Sequence, residues 1–271
     1  MFHYSEFAIQ DQSASFIKKL WTLDNSTNPN PVLQKSILPN GCFNIAIIKG
    51  EGILVRHQNA ASHLTKGVYY CGQMTKAIQV DILPGTKATM IQLFPWTPVH
   101  FLLPAVLSAF TDSIIPIHEL SLTLPIQWEY LLGLHRESQI HRYLVAHLSR
   151  SIRQNTDSQL ITNACRIILE CKGNISVVAL STELHCSTRH LQKLFKAYLG
   201  LSPKDLAVII KLRESVDDIV YPPEIDHAKL TDLALSNHFY DQAHFTNTFR
   251  SIAGTTPRKF NALNYLLSLK K

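Results

Sequence analysis

One pattern in these 271 residues constrains the fold more than any other, and it occurs twice. In the first copy Ile175, Val178, Leu180 and Leu184 mark a short amphipathic helix, and His185-Cys186 turns the chain. Ser187 then stands where an N-cap belongs. The spacing predicts a second helix over Thr188–Tyr198, with Leu191, Leu194, Phe195 and Tyr198 on its inner face. Gly200 and Pro203 close it, as C-terminal signals do. In the second copy Leu230, Leu233 and Ala234 form the short helix's inner face, Asn237-His238-Phe239-Tyr240 the turn, and Asp241 the cap. Phe245, Phe249 and Ile252 give the next core face before Gly254 and Pro257. The two caps lie 54 positions apart, so the chain reads as two helix-turn-helix units. Pro203–Val220 reads as one connecting helix, about 26 Å long at 1.5 Å per residue. It packs through Leu206, Ile209, Ile210, Arg213 and Val216, and Tyr221-Pro222-Pro223 ends it.

Charge follows the same division. The chain's formal +6 says little by itself, but Ser187–Lys204 carries four basic residues and no acid, and Gln242–Lys259 carries three and no acid. Asp205–Asp241 between them carries three basic and eight acidic residues, a balance of −5. Basic helix faces neutralise phosphates, and polar side chains beside them reach base edges. The outward faces supply Ser187, Thr188, Arg189, Gln192, Lys193 and Lys196 from the first unit. The second supplies Gln242, His244, Asn247, Arg250 and Lys259. A rigid connecting helix could hold two such faces about one turn of DNA apart, ~34 Å.

The first half has another texture. Phe43–Ile48, Ile53–Val55, Val68–Cys71, Ile78–Leu83 and Ala88–Phe94 are short apolar blocks. Pro39-Asn40-Gly41, Lys49-Gly50-Glu51-Gly52 and Pro84-Gly85-Thr86 punctuate them, which predicts an antiparallel sandwich or barrel. A short helix over Gln127–Arg136 is expected, then a longer one over Glu137–Arg153 with Ile140, Tyr143, Leu144, His147, Leu148 and Ile152 on one face. That stripe either covers the β domain or forms a dimer seam centred on Ile140, Leu144 and Leu148. The polar run Gln154-Asn155-Thr156-Asp157-Ser158 has linker character and divides the chain into 1–154 and 155–271. The fold class is α+β: a β-rich sandwich or barrel-like domain with helices, then an all-α domain.

The residues that carry chemistry resemble a known family. Cys186-Ser187-Thr188-Arg189-His190-Leu191-Gln192-Lys193-Leu194-Phe195 and Gly200-Leu201-Ser202-Pro203 are similar to the AraC/XylS family of bacterial transcriptional regulators. So, more specifically, are Phe239-Tyr240-Asp241-Gln242-Ala243-His244-Phe245, Phe249-Arg250 and Gly254-Thr255-Thr256-Pro257. The resemblance covers about residues 157–262. It implies a seven-helix DNA-binding domain whose reading helices are Thr188–Tyr198 and Gln242–Ser251. The sequence departs from the family's usual pattern at Ser181, His238, Ala243, Asn247 and Asn261. The first half resembles, more weakly, the β-rich sensor domains that precede such regulators.

Other chemistry finds no constellation. The 13 histidines give no His-x-His and no His-Glu-x-x-His, and there is no Cys-x-x-Cys. His57 and His63 are six apart across an expected loop, and Asp81 and Asp112 have no partner at useful spacing. No catalytic residue, metal or cofactor is therefore expected. The five cysteines, Cys42, Cys71, Cys165, Cys171 and Cys186, read as free thiols of a reducing cytoplasm. The apolar stretch Val99–Phe110 is broken by Pro104 and falls short of the ~20 residues a membrane span needs. No signal peptide is read at the N-terminus. The expected partner is double-stranded DNA. A small-molecule effector, a second copy of the chain and RNA polymerase are the further partners implied. The competing reading is a cupin-like metal-binding enzyme or sensor carrying an accessory DNA-binding domain.

Overall fold

The computed structural model describes residues 1–9, 16–58, 60–101, 109–120, 126–148, 155–220 and 227–266. Among these residues ten strands come first: β1 (His3–Ala8), β2 (Ile17–Asn25), β3 (Val32–Ile37), β4 (Phe43–Lys49), β5 (Ile53–His57), β6 (Ala60–Leu64), β7 (Gly67–Cys71), β8 (Ile78–Ile82), β9 (Thr86–Leu93) and β10 (Ile114–Pro116). They form two antiparallel sheets, ordered β1-β2-β9-β4-β7-β10 and β3-β8-β5-β6. Side chains alternate across a strand, and in the larger sheet both faces are buried. Phe43, Ile45 and Ile47 of β4 enter a core shared with helices. Ala46 and Ile48 enter the core between the sheets. A strand covered on both sides favours apolar residues on both faces, which is why β4 reads as Phe-Asn-Ile-Ala-Ile-Ile, apolar at every position but Asn44.

Helices cover the free face of that sheet. α1 (Trp128–Gly133) buries Trp128 and Leu131, and α2 (Glu137–Leu148) buries Ile140, Leu144 and Leu148. The last three are 2%, 0% and 6% exposed and join the protomer's own core. Of the two readings of the stripe, packing on the β domain is therefore the one these three side chains display within a single chain. Ile152 and the end of the expected helix lie outside the described residues, as does the 154 side of the expected domain division.

The described part of the polar run, residues 155–158, starts a helix. Asn155 caps α3 (Thr156–Glu170) by accepting from the Ser158 N–H at 2.7 Å, while Ser158 Oγ accepts from the Asn155 N–H at 3.0 Å. This reciprocal pair satisfies two N–H groups that a helix end leaves unpaired. Then come α4 (Val177–Glu183), α5 (Thr188–Leu199), α6 (Pro203–Val220), α7 (His227–Ser236) and α8 (Gln242–Ala253). Ile161, Cys165 and Ile168 of α3, Leu191 and Phe195 of α5, and Leu206 and Ile210 of α6 extend the β domain's core without a break. Among the described residues no helix is long and apolar enough to cross a membrane.

α6 is buried on more than one side. Leu206, Ala207 and Ile210 face the first core, whereas Ile209, Leu212, Val216 and Ile219 face a third core built with α7 and α8. Two glycines permit the neighbouring chain to come this close. Gly173 ends the α3 turn at φ +77°, and a Cβ there would stand 2.1 Å from the Ala207 carbonyl oxygen. Gly41, at φ +71° before β4, would place a Cβ 2.7 Å from Leu206 Cδ1. The first neighbour is backbone and cannot yield. Gly173→Ala is expected to cost about 2–4 kcal/mol, from left-handed strain plus overpacking. Urea denaturation measures it as a fall in the midpoint.

The five cysteines are free: Cys42, Cys71 and Cys165 buried, Cys186 half-buried and Cys171 exposed at the end of α3. Burial pushes the Cys71 thiol up to about 12 from 9.0 and raises those of Cys42 and Cys165 as well. Neutral thiols are favoured in the fold, so ionisation draws the chain toward the unfolded state. The stability from Cys71 is present below pH 9 and is lost as pH rises toward 12. A thiol reagent at neutral pH should modify Cys171 first, Cys186 more slowly, and the other three only on unfolding. Mass spectrometry of the modified peptides gives the order.

Candidate nucleic-acid interface

Both units are built by the same backbone device. In the first, α4 closes with the His185 N–H donating to the Thr182 carbonyl at 3.1 Å and the Cys186 N–H to that of Ser181 at 3.0 Å. In the second, the His238 N–H donates to the Leu235 carbonyl at 2.9 Å and the Phe239 N–H to that of Ala234 at 2.8 Å. His185 (φ +50°) and His238 (φ +58°) occupy the left-handed position that such helix ends require. The equivalent turn residues are therefore 53 apart while the caps are 54 apart. The second turn holds one extra residue, Tyr240, which is 87% exposed. The sequence departure at His238 falls on that strained position, where glycine carries no penalty.

The helices that follow start and stop alike. Ser187 accepts from the His190 N–H at 3.2 Å, and Asp241 accepts from the His244 N–H at 2.7 Å. Gly200 (φ +71°) and Gly254 (φ +74°) end α5 and α8. Inward, α5 buries Leu191, Leu194, Phe195, Tyr198 and Leu199, and α8 buries Phe245, Phe249, Ile252 and Ala253. An aromatic series runs through the second unit: Phe239–Phe245 at 5.0 Å, Phe245–Phe249 at 5.8 Å, Phe249–Phe260 at 5.4 Å and Phe260–Tyr265 at 4.4 Å between ring centres. The Phe residues that mark the motif are thus its packing core. α4 departs from expectation at one point. Val178 is 66% exposed rather than inward, and the buried positions are Leu180 and Ser181. The Ser181 hydroxyl is satisfied by donating to the Val178 carbonyl at 2.9 Å.

Outward, Arg189, Gln192, Lys193 and Lys196 of α5 are exposed together, and Thr188 is half-buried at the first turn. On α8, His244, Asn247 and Arg250 are exposed and Gln242 is half-buried. Three of these side chains have internal partners. Lys196 Nζ donates to the Gly200 carbonyl at 2.9 Å. Gln242 Oε1 accepts from Thr231 Oγ1 at 2.9 Å, tying α8 to α7. The His244 ring lies 5.6 Å from that of Phe239. Lys259, exposed beyond α8, also borders a cleft against the smaller sheet.

The sequence pattern did not single out Lys211. From α6 its ammonium donates to the His238 carbonyl at 3.1 Å and stands 5.6 Å from the Phe239 ring centre. It fixes the second turn to the connecting helix, and burial lowers its pKa. A lysine interrupting the apolar run Leu206–Leu212 was the available signal. Of the other residues weighed for chemistry, His57 ends β5 and His63 lies on β6, the antiparallel strand that follows it. Asp81 pairs with Arg56 at 2.7 Å, and Asp112 accepts from Thr75 N–H and hydroxyl. Among the described residues no three His, Cys, Asp or Glu side chains converge as a metal site would require.

Comparison with known proteins adds two matches along the sequence. Residues 180–262 match the family described as a helix-turn-helix domain. Residues 10–116 match one described as a domain of unknown function (DUF6597). A curated relative, an uncharacterized HTH-type transcriptional regulator of Staphylococcus aureus, is 25% identical over 126 residues. That stretch is 45% of this chain but 16% of the relative's length. Two solved structures of ToxT from Vibrio cholerae align with most of this chain. One, at 10% identity and TM-score 0.44, covers 95% of this chain and 96% of its own. The other, bound to an unsaturated fatty acid, has 10% identity and TM-score 0.43, and covers 92% and 95%.

The cap and turn chemistry predicts opposite effects on stability. Ser187→Ala and Asp241→Ala should each cost about 1 kcal/mol by orphaning a helix N–H. His238→Gly should raise stability by up to about 1 kcal/mol by relieving the left-handed histidine. Thermal unfolding of the three variants gives the signs.

Proposed function

We propose that this chain, whose C-terminal region is an AraC-type helix-turn-helix domain behind a β-rich N-terminal domain, is a sequence-specific DNA-binding regulator of transcription. The observation that carries the reading is the duplicated reading helix, with both polar cationic faces exposed while their apolar faces are buried. α5 and α8 enter successive major grooves from one chain. Lys193, Lys196, Arg250 and Lys259 contact phosphates, where position and charge matter more than base identity. Arg189, Gln192, Gln242 and Asn247 contact base edges, supported by Ser187, Thr188 and His244 at the helix starts. Lys196 and Gln242 exchange their internal hydrogen bonds for contacts to DNA.

The N-terminal domain is the regulatory half of this reading. An apolar cavity of about 70 Å³ between the sheets is lined by Trp21, Ile48, Val55 and Met90, with Asn44 Oδ1 buried there without a hydrogen-bond partner among the described residues. It shares Trp21, Ile37, Leu38 and Asn40 with a second cavity of about 270 Å³ at the seam with α6, where Lys18, Lys19 and Arg213 gather with Glu214 and Asp217. These spaces suit a small amphipathic effector, apolar end inward, positioned to bias how α6 docks. A second copy of the chain and RNA polymerase are the macromolecular partners of such a regulator, acting in the cytoplasm.

Binding to duplex DNA across a salt series tests the proposal. Affinity for a selected operator should exceed that for random DNA by about 10³-fold or more and fall steeply with salt. Lys193→Gln should weaken both and reduce the salt slope by about 1. Equal, weak binding to every sequence would count against it.

A further inference from the structure

We infer a second ligand site, for a small polyhydroxylated anion, in the polar cleft between the smaller sheet's outer face and the end of the second reading unit. Strand register builds its floor. Ser36 of β3 is paired with Gln79 of β8, and Gln79 with Arg56 of β5, so the three stand abreast across neighbouring strands. Their neighbours Ile37, Ile78 and Val55 turn to the other face and the core. Neighbouring strands are about 4.8 Å apart, so these side chains form a row about 10 Å long.

The outer face of such a sheet ordinarily meets water. Here the C-terminal region roofs it, and hydrogen bonds hold the roof in place. The Ala77 N–H donates to the Ile252 carbonyl at 2.7 Å, Lys35 Nζ to the Leu263 carbonyl at 2.6 Å, and the Leu266 N–H to the Ser36 carbonyl at 2.8 Å. The roof is itself polar, presenting Thr255, Lys259, Asn261 and Asn264 with the Tyr265 ring. What remains between is a preformed cleft of about 570 Å³, within the range of small-molecule sites. It shares no lining residue with the two cavities assigned to the effector.

Its lining selects a chemical class. Gln34, Gln58, Gln79, Asn261 and Asn264 are carboxamides, which donate and accept in one plane and so match hydroxyl groups. An aromatic ring suits the apolar face of a sugar. Among the described residues Arg56 and Lys259 are the charged ones that line the cleft, and no carboxylate does. Asp81, behind the row, orients Arg56 through its 2.7 Å contact while its other oxygen accepts from the Gln34 N–H at 2.7 Å. A sugar acid or sugar phosphate satisfies both features, hydroxyls on the amides and the anion on Lys259 and Arg56. Because Lys259 is also a proposed phosphate contact, a bound anion opposes DNA binding; this consequence rests on the DNA-binding reading, whereas the site does not.

Isothermal titration of the full chain with glucose 6-phosphate and with gluconate tests the site, with glucose and inorganic phosphate as partial probes. Saturable binding of at least one of the two anions is expected, about tenfold tighter than glucose or phosphate alone. Gln79→Leu and Lys259→Gln should each weaken it about tenfold, with the unliganded melting temperature unchanged. No saturable binding of either anion at millimolar concentration overturns the proposal. So does equal binding of inorganic phosphate, or binding indifferent to both substitutions. Failure of the chain to bind DNA would leave these results unaffected. A second arm adds the bound anion to a DNA titration: weakened DNA binding supports the antagonism, and unchanged affinity overturns that consequence alone.

Discussion

The structure depends on the two-sided burial of α6. Its Leu206, Ala207 and Ile210 complete the core that the β domain shares with the first reading unit. Its Ile209, Leu212, Val216 and Ile219 complete the core of the second. One rigid helix of 18 residues, about 26 Å from its first residue to its last, therefore fixes both units relative to each other and to the N-terminal domain. Leu38, which precedes β4, reaches into the second unit's core, and Gly41 lies against Leu206 and Ile210. A change in the N-terminal domain that moves this segment is felt by α6 directly. That contact is the physical route by which a regulatory domain could act on DNA reading without touching DNA.

The aromatic series of the second unit makes the same point from the other side. Phe239, Phe245, Phe249, Phe260 and Tyr265 connect the helix turn to the C-terminal segment. Tyr265 forms a parallel bridge with Ser36 of the smaller sheet. The motif that gives the second unit its recognisable sequence thus also carries its attachment to the β domain. Docking leaves the outward faces of α5 and α8 open, so regulation through this seam would alter the arrangement of the reading helices rather than cover them.

How much of this was legible in the sequence follows from where side chains are one-sided. Ser187, Asp241, Gly200 and Gly254 announce helix ends because capping needs those residue types, and the structure uses each as expected. The five apolar blocks correspond to β4, β5, β7, β8 and β9. The strands without a clear signal include β1, β10, β3 and β6, the edges of the two sheets. Edge strands are half solvated, and β6, Ala-Ala-Ser-His-Leu, buries a single residue. β2 is central yet hidden, because Lys18-Lys19 interrupts its apolar run at a register shift. The stripe of α2 was visible, but its partner was not, since apolar periodicity cannot distinguish a fold's own core from a second chain. The polar cleft was invisible for a related reason: its lining comes from residues scattered between Leu33 and Tyr265. Only strand register and the C-terminal roof bring them together.

The central claim is that one chain reads DNA with two helices held one helical turn apart. In vitro selection of bound duplexes, run in parallel with the unaltered protein, Arg189→Ala and Asn247→Ala, tests it most directly. The account predicts that each substitution relaxes base preference in a separate cluster, and that the clusters lie about 10 base pairs apart. Loss of preference in one shared cluster, or no loss from either substitution, would contradict it.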